Sequence, residues 1–302
     1  MTKYVKDRCP VCEYSEYVVI GKVNEALPPI SIPDDSTIVK CKNCKLIYVN
    51  PMPYWDENDY SKLYDETYFS YINSDMRKKW FDIRQNVIPV KRFERISKQL
   101  KSNKNKLLEI GAGEYAFMCC YLSSKGWQAI AQEPSELYAN KLRSLGVKVE
   151  TRGIKELDGE NEYSVIFADS VLEHIPDPVP YYQKLAALLA PGGVIYTVSP
   201  NEYSVYNFLL NCISKIKGAT PHYIAPYTQP YHLMGFARES LEILAKRSGL
   251  TLISYNKIDD YMAFHALNSN NSALIKYPLA LLYFVSQSVG FGTNGEALFV
   301  KR

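Results

Sequence analysis

The sequence predicts an α/β fold: a doubly wound, mostly parallel sheet with an antiparallel C-terminal strand, preceded by a small N-terminal zinc-binding β module. Three observations predict it. Short apolar runs alternate with helical stretches from about position 105 onward, the pattern of a parallel sheet covered on both faces. One run ends in Glu109-Ile-Gly-Ala-Gly113, where two glycines flank a small residue and the backbone can pass close to a ligand. Four of the seven cysteines fall within the first 44 residues as two C-x-x-C pairs.

With 302 residues, 47% hydrophobic content and a formal net charge of +3, the chain can build one large core and a satellite module. A charge so near balance does not by itself argue for a nucleic-acid partner. The start, Met1-Thr-Lys-Tyr-Val-Lys-Asp-Arg8, is polar and lacks the apolar stretch of a signal peptide. The longest apolar stretch, Tyr277 to Phe291, is interrupted by Pro278, Gln287 and Gly290 and is too short to span a bilayer. These features predict a cytoplasmic protein, in which disulfides are disfavoured and the cysteines need another explanation.

Cys9-Pro-Val-Cys12 and Cys41-Lys-Asn-Cys44 supply that explanation. Each pair can form a knuckle that aims two sulfurs at one ion, and two knuckles complete a tetrahedron. Zn²⁺ is the default metal for four thiolates under reducing conditions, and with no open position its role is structural. The residues between, 13 to 40, have room for strands at Tyr17–Ile20 and Thr37–Lys40, so residues 1–50 form a zinc ribbon.

Residues 51–104 read as an aromatic and helical linker and lid. Tyr60, Leu63, Tyr64, Tyr68, Phe69 and Tyr71 either pack the ribbon onto the main domain or, for one or two of them, overhang a ligand cleft. From Asp75 to Lys101 the pattern is helical, with Trp80, Ile83, Val87, Phe93, Ile96 and Leu100 on one face; Pro89 should kink it or divide it. Its basic face carries interspersed acids and reads as solvated.

Residues 105–302 form the ligand-binding domain. After the glycine turn come a helix from Ala116 to Ser123, a strand at Trp127–Ala131 ending in Gln132-Glu133-Pro134, and a helix from Ser135 to Leu145. A strand at Val147–Glu150 and another at Tyr163–Ala168 follow, the latter running into Asp169-Ser-Val-Leu-Glu-His174. A helix from Pro178 to Leu189 breaks at Ala190-Pro-Gly-Gly193 before a strand at Val194–Val198. The remainder holds a helix from Arg238 to Ser248, a strand at Leu250–Ser254, an apolar helical insert around 273–289 and a last strand at Ala297–Val300. The two flanking strands suit an antiparallel hairpin closing the sheet edge. Cys119, Cys120 and Cys212 read as buried small hydrophobes.

Two ligand classes use such a glycine turn. Gly111-x-Gly113-x-x-Ala116 fits a dinucleotide fingerprint, and Glu133, 20 positions after Gly113, can accept both hydroxyls of an adenosine ribose. Glu109 counts against a dinucleotide, because its carboxylate would repel a pyrophosphate while suiting the α-ammonium of S-adenosylmethionine, directly or through water. After the third strand, moreover, the chain goes to Leu172-Glu-His-Ile175 and a Pro-Gly-Gly turn rather than to a second nucleotide-binding half.

The set Glu109-Ile-Gly-Ala-Gly113, Glu133-Pro134, Val171-Leu-Glu-His-Ile-Pro-Asp-Pro178, Leu189-Ala-Pro-Gly-Gly193 and Ser199-Pro-Asn201 resembles, in order and interval, the class I S-adenosylmethionine-dependent methyltransferases. Tyr64-Asp-Glu-Thr-Tyr-Phe69, Tyr231-His-Leu-Met-Gly-Phe-Ala-Arg-Glu-Ser-Leu241 and the cysteine pairs extend the resemblance to a zinc-ribbon subgroup often encoded with bacterial polysaccharide or secondary-metabolite pathways. The sequence departs from that pattern at Glu114, where many relatives carry glycine, and at Glu13 and Lys45, where such knuckles usually have glycine. The resemblance implies a Rossmann-like domain that holds the cofactor with Glu109, Gly111, Ala112, Gly113, Glu133, Pro134, Asp169 and Ser170. It also implies methyl transfer to a small polar acceptor, such as a nucleotide-sugar or a related cell-surface or secondary metabolite.

A base for the acceptor proton must stand near the strand ends. His232 and His174 are the candidates, each also readable as a packing or capping residue, and Tyr68 is a candidate for orienting the acceptor. His222 and His265 have no motif context. An RNA methyltransferase gripping nucleic acid with its ribbon and an NAD(P)-binding oxidoreductase are the alternative functions; against the first, residues 1–50 mix acids with lysines. The chain is expected to act as a monomer or homodimer without a membrane span.

Overall fold

The computed structural model describes residues 3–5, 8–23, 35–54, 85–218, 232–258, 266, 267, 269 and 271–301. Tyr68, Trp80, Ile83, His222, Tyr231 and His265 lie outside them, as do most of the expected lid and the second half of the 203–231 segment.

The chain opens with β1 Lys3–Val5, β2 Tyr17–Lys22, β3 Thr37–Cys41, β4 Ile47–Asn50 and β5 Met52–Tyr54. β1 pairs with β5, and β2, β3 and β4 form an antiparallel meander. Cys9 and Cys12 sit on a turn before this meander, and Cys41 and Cys44 at the turn that joins β3 to β4. Residues 13 and 45 close those turns with φ of +60° and +63°, so both positions need the left-handed conformation that glycine adopts without cost. Glu13 and Lys45 adopt it nonetheless. Arg247 holds the first knuckle by pairing with Glu13 and donating to the Val11 carbonyl at 2.7 Å.

The first long described helix, α1 Ile88–Ser97, starts after a turn at Val87. Pro89 divides the helical stretch by sitting in the first turn of α1, where its missing N–H has no partner to lose. The remaining elements are β6 Lys106–Ile110, α2 Phe117–Ser123, β7 Gln128–Gln132, α3 Glu136–Ser144, β8 Lys148–Glu150, β9 Tyr163–Asp169, α4 Pro178–Leu188, β10 Leu189–Pro200, α5 Val205–Ile216, β11 Met234–Gly235, α6 Arg238–Arg247, β12 Thr251–Ile258, α7 Ala273–Ser288 and β13 Asn294–Val300.

Seven strands form the central sheet in the order β12-β13-β10-β9-β6-β7-β8. β6 to β10 are parallel, and β13 runs antiparallel to both β10 and β12. The last strand therefore enters the sheet, and β12 takes the edge. Burial explains the choice: β13 is buried along Gly295–Phe299, whereas β12 alternates partly buried and exposed residues. The Ala190–Gly193 turn appears as an irregularity in the β10 register between Leu189 and Val194, with Lys101 and Ser102 donating to the Gly192 carbonyl.

Alternation along the strands feeds two cores. Leu107, Val165, Phe167 and Tyr196 pack against α1, α2 and α3. Leu108, Ile110, Ile166 and Ile195 pack against α4 and α6, in a cluster continuous with Cys9, Cys41, Cys44, Leu46 and Tyr48 of the N-terminal module. That module is also sewn on by backbone. β11 pairs with β4, Met234 opposite Tyr48 and Gly235 opposite Ile47, giving a four-stranded sheet in the order β11-β4-β3-β2.

A charge lies inside the first of these cores. Arg92 of α1 is fully buried, its Nη1 2.8 Å from Asp169 Oδ2, with the guanidinium about 6 Å from the rings of Phe117, Phe167 and Tyr196. One turn on, Arg95 pairs at 2.5 Å with the buried Glu296 of β13, which also accepts from Tyr196 and Asn256. These contacts fix α1 across the carboxyl end of β9 and the start of β13. Breaking one side of a buried pair strands the other charge, at a cost of roughly 3–5 kcal/mol. Arg92→Met is therefore expected to lower the urea midpoint by that equivalent at unchanged m value, whereas Lys42→Met, which breaks an exposed pair with Glu16, should shift it little.

Candidate functional site

The carboxyl ends of β6, β7, β9 and β10 lie along one edge of the sheet. β6 is the switch point, because the chain passes from it to β7 on one side and later returns to β9 on the other. Ligands of open α/β sheets bind in the crevice so formed.

Gly111 and Gly113 take φ of +59° and +58° in the turn after β6. A Cβ on Gly111 would stand 2.8 Å from Val171 Cγ2, so this glycine is required by the approach of the turn after β9. A Cβ on Gly113 would meet no protein atom within 4 Å, leaving its face open to a ligand. Ala112 is buried beneath it, its N–H donating to the Gln132 carbonyl at 3.2 Å. Ala116 enters α2 at φ +40°, a costly conformation for a residue with a Cβ.

Two buried carboxylates shape the turn. Glu109 accepts from the N–H groups of Cys119 at 2.7 Å and Met118 at 3.4 Å, and burial pushes its carboxyl up to about 7. The sequence reading gave Glu109 to a ligand ammonium, directly or through water; here its side chain accepts from the first turn of α2, where unpaired N–H groups attract it. Glu133 accepts from Gly113 N–H at 2.7 Å and Ser135 N–H at 2.9 Å, and burial raises its carboxyl as well. Each of its oxygens keeps a further lone pair, so the carboxylate can hold the turn and still receive ribose hydroxyls. Pro134 follows half-buried. Gln132 is a contributor the sequence reading missed: it bridges Gly111 N–H and the Arg152 carbonyl. Glu114, at the glycine position of relatives, folds away from the tip to pair with Lys141.

Across the crevice, Asp169 and Ser170 end β9. Ser170 is exposed at φ +58°, its hydroxyl donating to Asp169 Oδ1 at 3.2 Å. Asp169 spends Oδ2 on Arg92, an engagement without any local signal in the sequence.

The turn Leu172–His174 then brings the two expected histidines together. The His174 and His232 rings meet edge to face, centroids 4.6 Å apart at 76°. Beside them lies Glu173, fully buried, with Oε1 4.0 Å from His232 Nε2. No other described residue donates to either Glu173 oxygen, and His232 Nδ1 has no hydrogen-bond partner among the described residues. Burial, with the nearby charges of Asp169 and Glu202, raises the Glu173 carboxyl to about 8. Burial, and then His174, holds His232 well below the usual imidazole range. Glu173 thus favours its protonated form and His232 its neutral form, and the cluster's donor atoms, all within 4.8 Å of one another, could also take a cation. Glu173 was visible only as an acid within an apolar stretch.

The four N-terminal cysteines converge as well. Cys9–Cys44 and Cys12–Cys41 sulfurs are 3.5 Å apart, and all four lie within 4.8 Å of one another. Tetrahedral zinc at its usual bond lengths spaces sulfurs about 3.8 Å apart, so the set fits that ion. A hydrogen bond from Cys44 draws the Cys9 thiol down to about 6, while the same contact pushes Cys44 up and burial raises Cys41 to about 11. Cys119 is buried as expected. Cys212 is exposed, contrary to expectation, because α5 turns Asn211 and Ser214 inward instead.

The Glu173 carboxyl generates a pH dependence. Between an unfolded carboxyl value near ~4.3 and about 8, the folded chain keeps a proton that the unfolded chain has lost. Stability must fall as pH rises through that window, by at most about 1.4 kcal/mol per pH unit. Glu173→Gln should remove this slope, so that the stability of the variant relative to wild type rises from about pH 5 to about pH 8 in urea titrations. Parallel curves would contradict the assignment.

Comparison with known proteins agrees with this geometry. The family model described as a methyltransferase domain matches residues 72–255, more than half of the chain. The ubiquinone biosynthesis O-methyltransferase of Rhodopseudomonas palustris strain TIE-1 is 27% identical over 120 residues, 37% of this chain and 47% of that protein. Its counterpart from strain HaA2 is 24% identical over 176 residues, 53% and 67% respectively. The chain thus spans about half the length of the first of these curated relatives. Among solved structures, a SAM-dependent methyltransferase from Archaeoglobus fulgidus aligns with TM-score 0.51 at 14% identity, over 74% of this chain and 99% of that one. The 1,6-didemethyltoxoflavin-N1-methyltransferase of Burkholderia thailandensis aligns with TM-score 0.50 at 14% identity, over 92% and 99%. At those identities the likeness is one of fold. Together with the family match across the glycine turn, Glu133 and the Glu173–His174 turn, it settles the kinship: the chain belongs to the methyltransferase-domain family.

Proposed function

We propose that the protein transfers a methyl group from S-adenosylmethionine to a small polar acceptor, a sugar or similar metabolite, with His232 or His174 as the base. The observation that carries the proposal is the placement of Glu173 and His174, met by His232, on the turn that packs through Val171 against the glycine turn. Glu133 and the Gly111–Gly113 backbone would hold the adenosine portion, with Asp169 and Ser170 across the crevice. S-adenosylmethionine, when bound, supplies an electrophilic methyl group.

The acceptor proton is the protein's task. No described residue donates to His232 Nδ1, which can take it when the ring carries its own proton on Nε2, facing Glu173. Glu173 Oε1, 4.0 Å from that Nε2, faces the imidazolium so formed. The R. palustris relatives are named for O-methylation and the B. thailandensis neighbour for N1-methylation. A hydroxyl or ring N–H acceptor with a proton to lose suits this cluster.

Calorimetry is expected to show saturable binding of S-adenosylmethionine and none of NADPH; the reverse would sink the reading. His232→Ala should lower turnover about a hundredfold or more while cofactor affinity holds. Equal rates in His232→Ala and His174→Ala variants and wild type would remove the base assignment.

We also propose that Cys9, Cys12, Cys41 and Cys44 bind one structural Zn²⁺, on the strength of their converging sulfurs. Elemental analysis should find one zinc per chain. Cys44→Ser should lose it and lower Tm, because the cysteine module shares its core with the main domain.

A further inference from the structure

Two helices are turned inside out. α5 buries Asn211 and Ser214 and exposes Phe208, Leu209, Ile213 and Ile216, the last at 85%. α7 buries only Ala280, Tyr283 and Ser286 fully and exposes Leu274 at 88%, Leu281 at 62% and Phe284 at 66%. A solvated helix shows the opposite arrangement, and a connected apolar surface of this kind marks an interaction site.

The two helices pack on each other. Tyr206 of α5 packs against Tyr283 of α7, ring centroids 5.7 Å apart, in a cluster with Leu279 and Ala280. Their roots are tied: Val205 N–H donates to the Phe291 carbonyl at 3.3 Å, and Asn201 donates to the Thr293 and Gly292 carbonyls at 2.7 and 2.6 Å. Asn294 pairs with Pro200 at the carboxyl end of β10, so the surface springs from the edge of the sheet that carries the glycine turn.

Charge identifies the occupant. Residues 204–218 and 271–293 contain Lys215, Lys217 and Lys276 and no carboxylate. A second copy of this face would bring lysines toward lysines with no acid to offset them. Anionic lipid headgroups complement the lysines while the acyl boundary takes the Phe, Leu and Ile side chains. Tyr277, with the Lys276 ammonium 5.3 Å above its ring, suits the headgroup level. Among the described residues no helix is long and apolar enough to cross a membrane, and Pro278 interrupts α7, so the pair would lie on the surface.

We propose that the α5–α7 face docks the protein on an anionic phospholipid surface, setting the ligand edge of the central sheet beside the bilayer. The test is co-sedimentation of the full chain with phosphatidylcholine vesicles with and without phosphatidylglycerol. Binding should require phosphatidylglycerol and weaken with salt; each of Lys215→Ala and Lys217→Ala should weaken it about fivefold, the equivalent of about 1 kcal/mol per lysine. The triple variant Phe208→Ser, Leu281→Ser, Phe284→Ser should abolish it while Tm, read as the fold control, is retained. No binding to phosphatidylglycerol vesicles, or equal binding by the triple variant, overturns the proposal. So does light scattering that finds a dimer dissociated by the triple variant without vesicle binding, since the face is then covered by a second copy. Vesicle binding is read without turnover and stands or falls separately from the methyl-transfer reading.

Discussion

A short piece of extended backbone at Leu233 joins the parts of the molecule that matter. Its N–H donates to the Glu173 carbonyl at 2.7 Å, and its carbonyl accepts from Val49 of β4 at 3.1 Å. Its side chain is fully buried in the core that the cysteine module shares with the sheet. His232 precedes it and β11 follows it. Without this bridge His232 would be a residue at the end of a long excursion; with it, the imidazole stands against His174 and Glu173. The cysteine module is thus part of the site's scaffold, since β4 is the strand that catches the returning chain.

The second constraint is the close contact at Gly111. The glycine turn after β6 and the turn after β9 approach until Val171 occupies the space of a Gly111 side chain. That contact sets the ligand side of the crevice against the histidine side. Burial then sets the protonation states, because Glu109, Glu133 and Glu173 are each pushed upward while His232 is pushed down. A His232 held towards its neutral form is compatible with a base that must start unprotonated.

Much of this was legible in the sequence where the signal is local. Leu107-Leu-Glu-Ile110 and Val165-Ile-Phe-Ala168 read as strands because both faces are buried and nearly every position is apolar. The cysteine knuckles read correctly because their spacing is itself the geometry. What escaped were pairings set by distant contacts. Arg92 looked like part of a solvated helical face, yet its partner Asp169 lies 77 positions away. β11 is two residues long and carries no periodicity, so nothing announced its pairing with β4. The bonds from the α2 amides to Glu109 were likewise not legible, because a carboxylate before a glycine turn gives no sign of which amides will meet it. The outward apolar faces of α5 and α7 were visible as apolar segments; which side they would show was not.

The most direct test is a crystal structure of the protein with S-adenosylhomocysteine. The account predicts the adenosine ribose on Glu133, the homocysteine along Gly111–Gly113, and the sulfur facing the Glu173–His174–His232 cluster. A ligand bound elsewhere, or a sulfur turned away from His174 and His232, would contradict it.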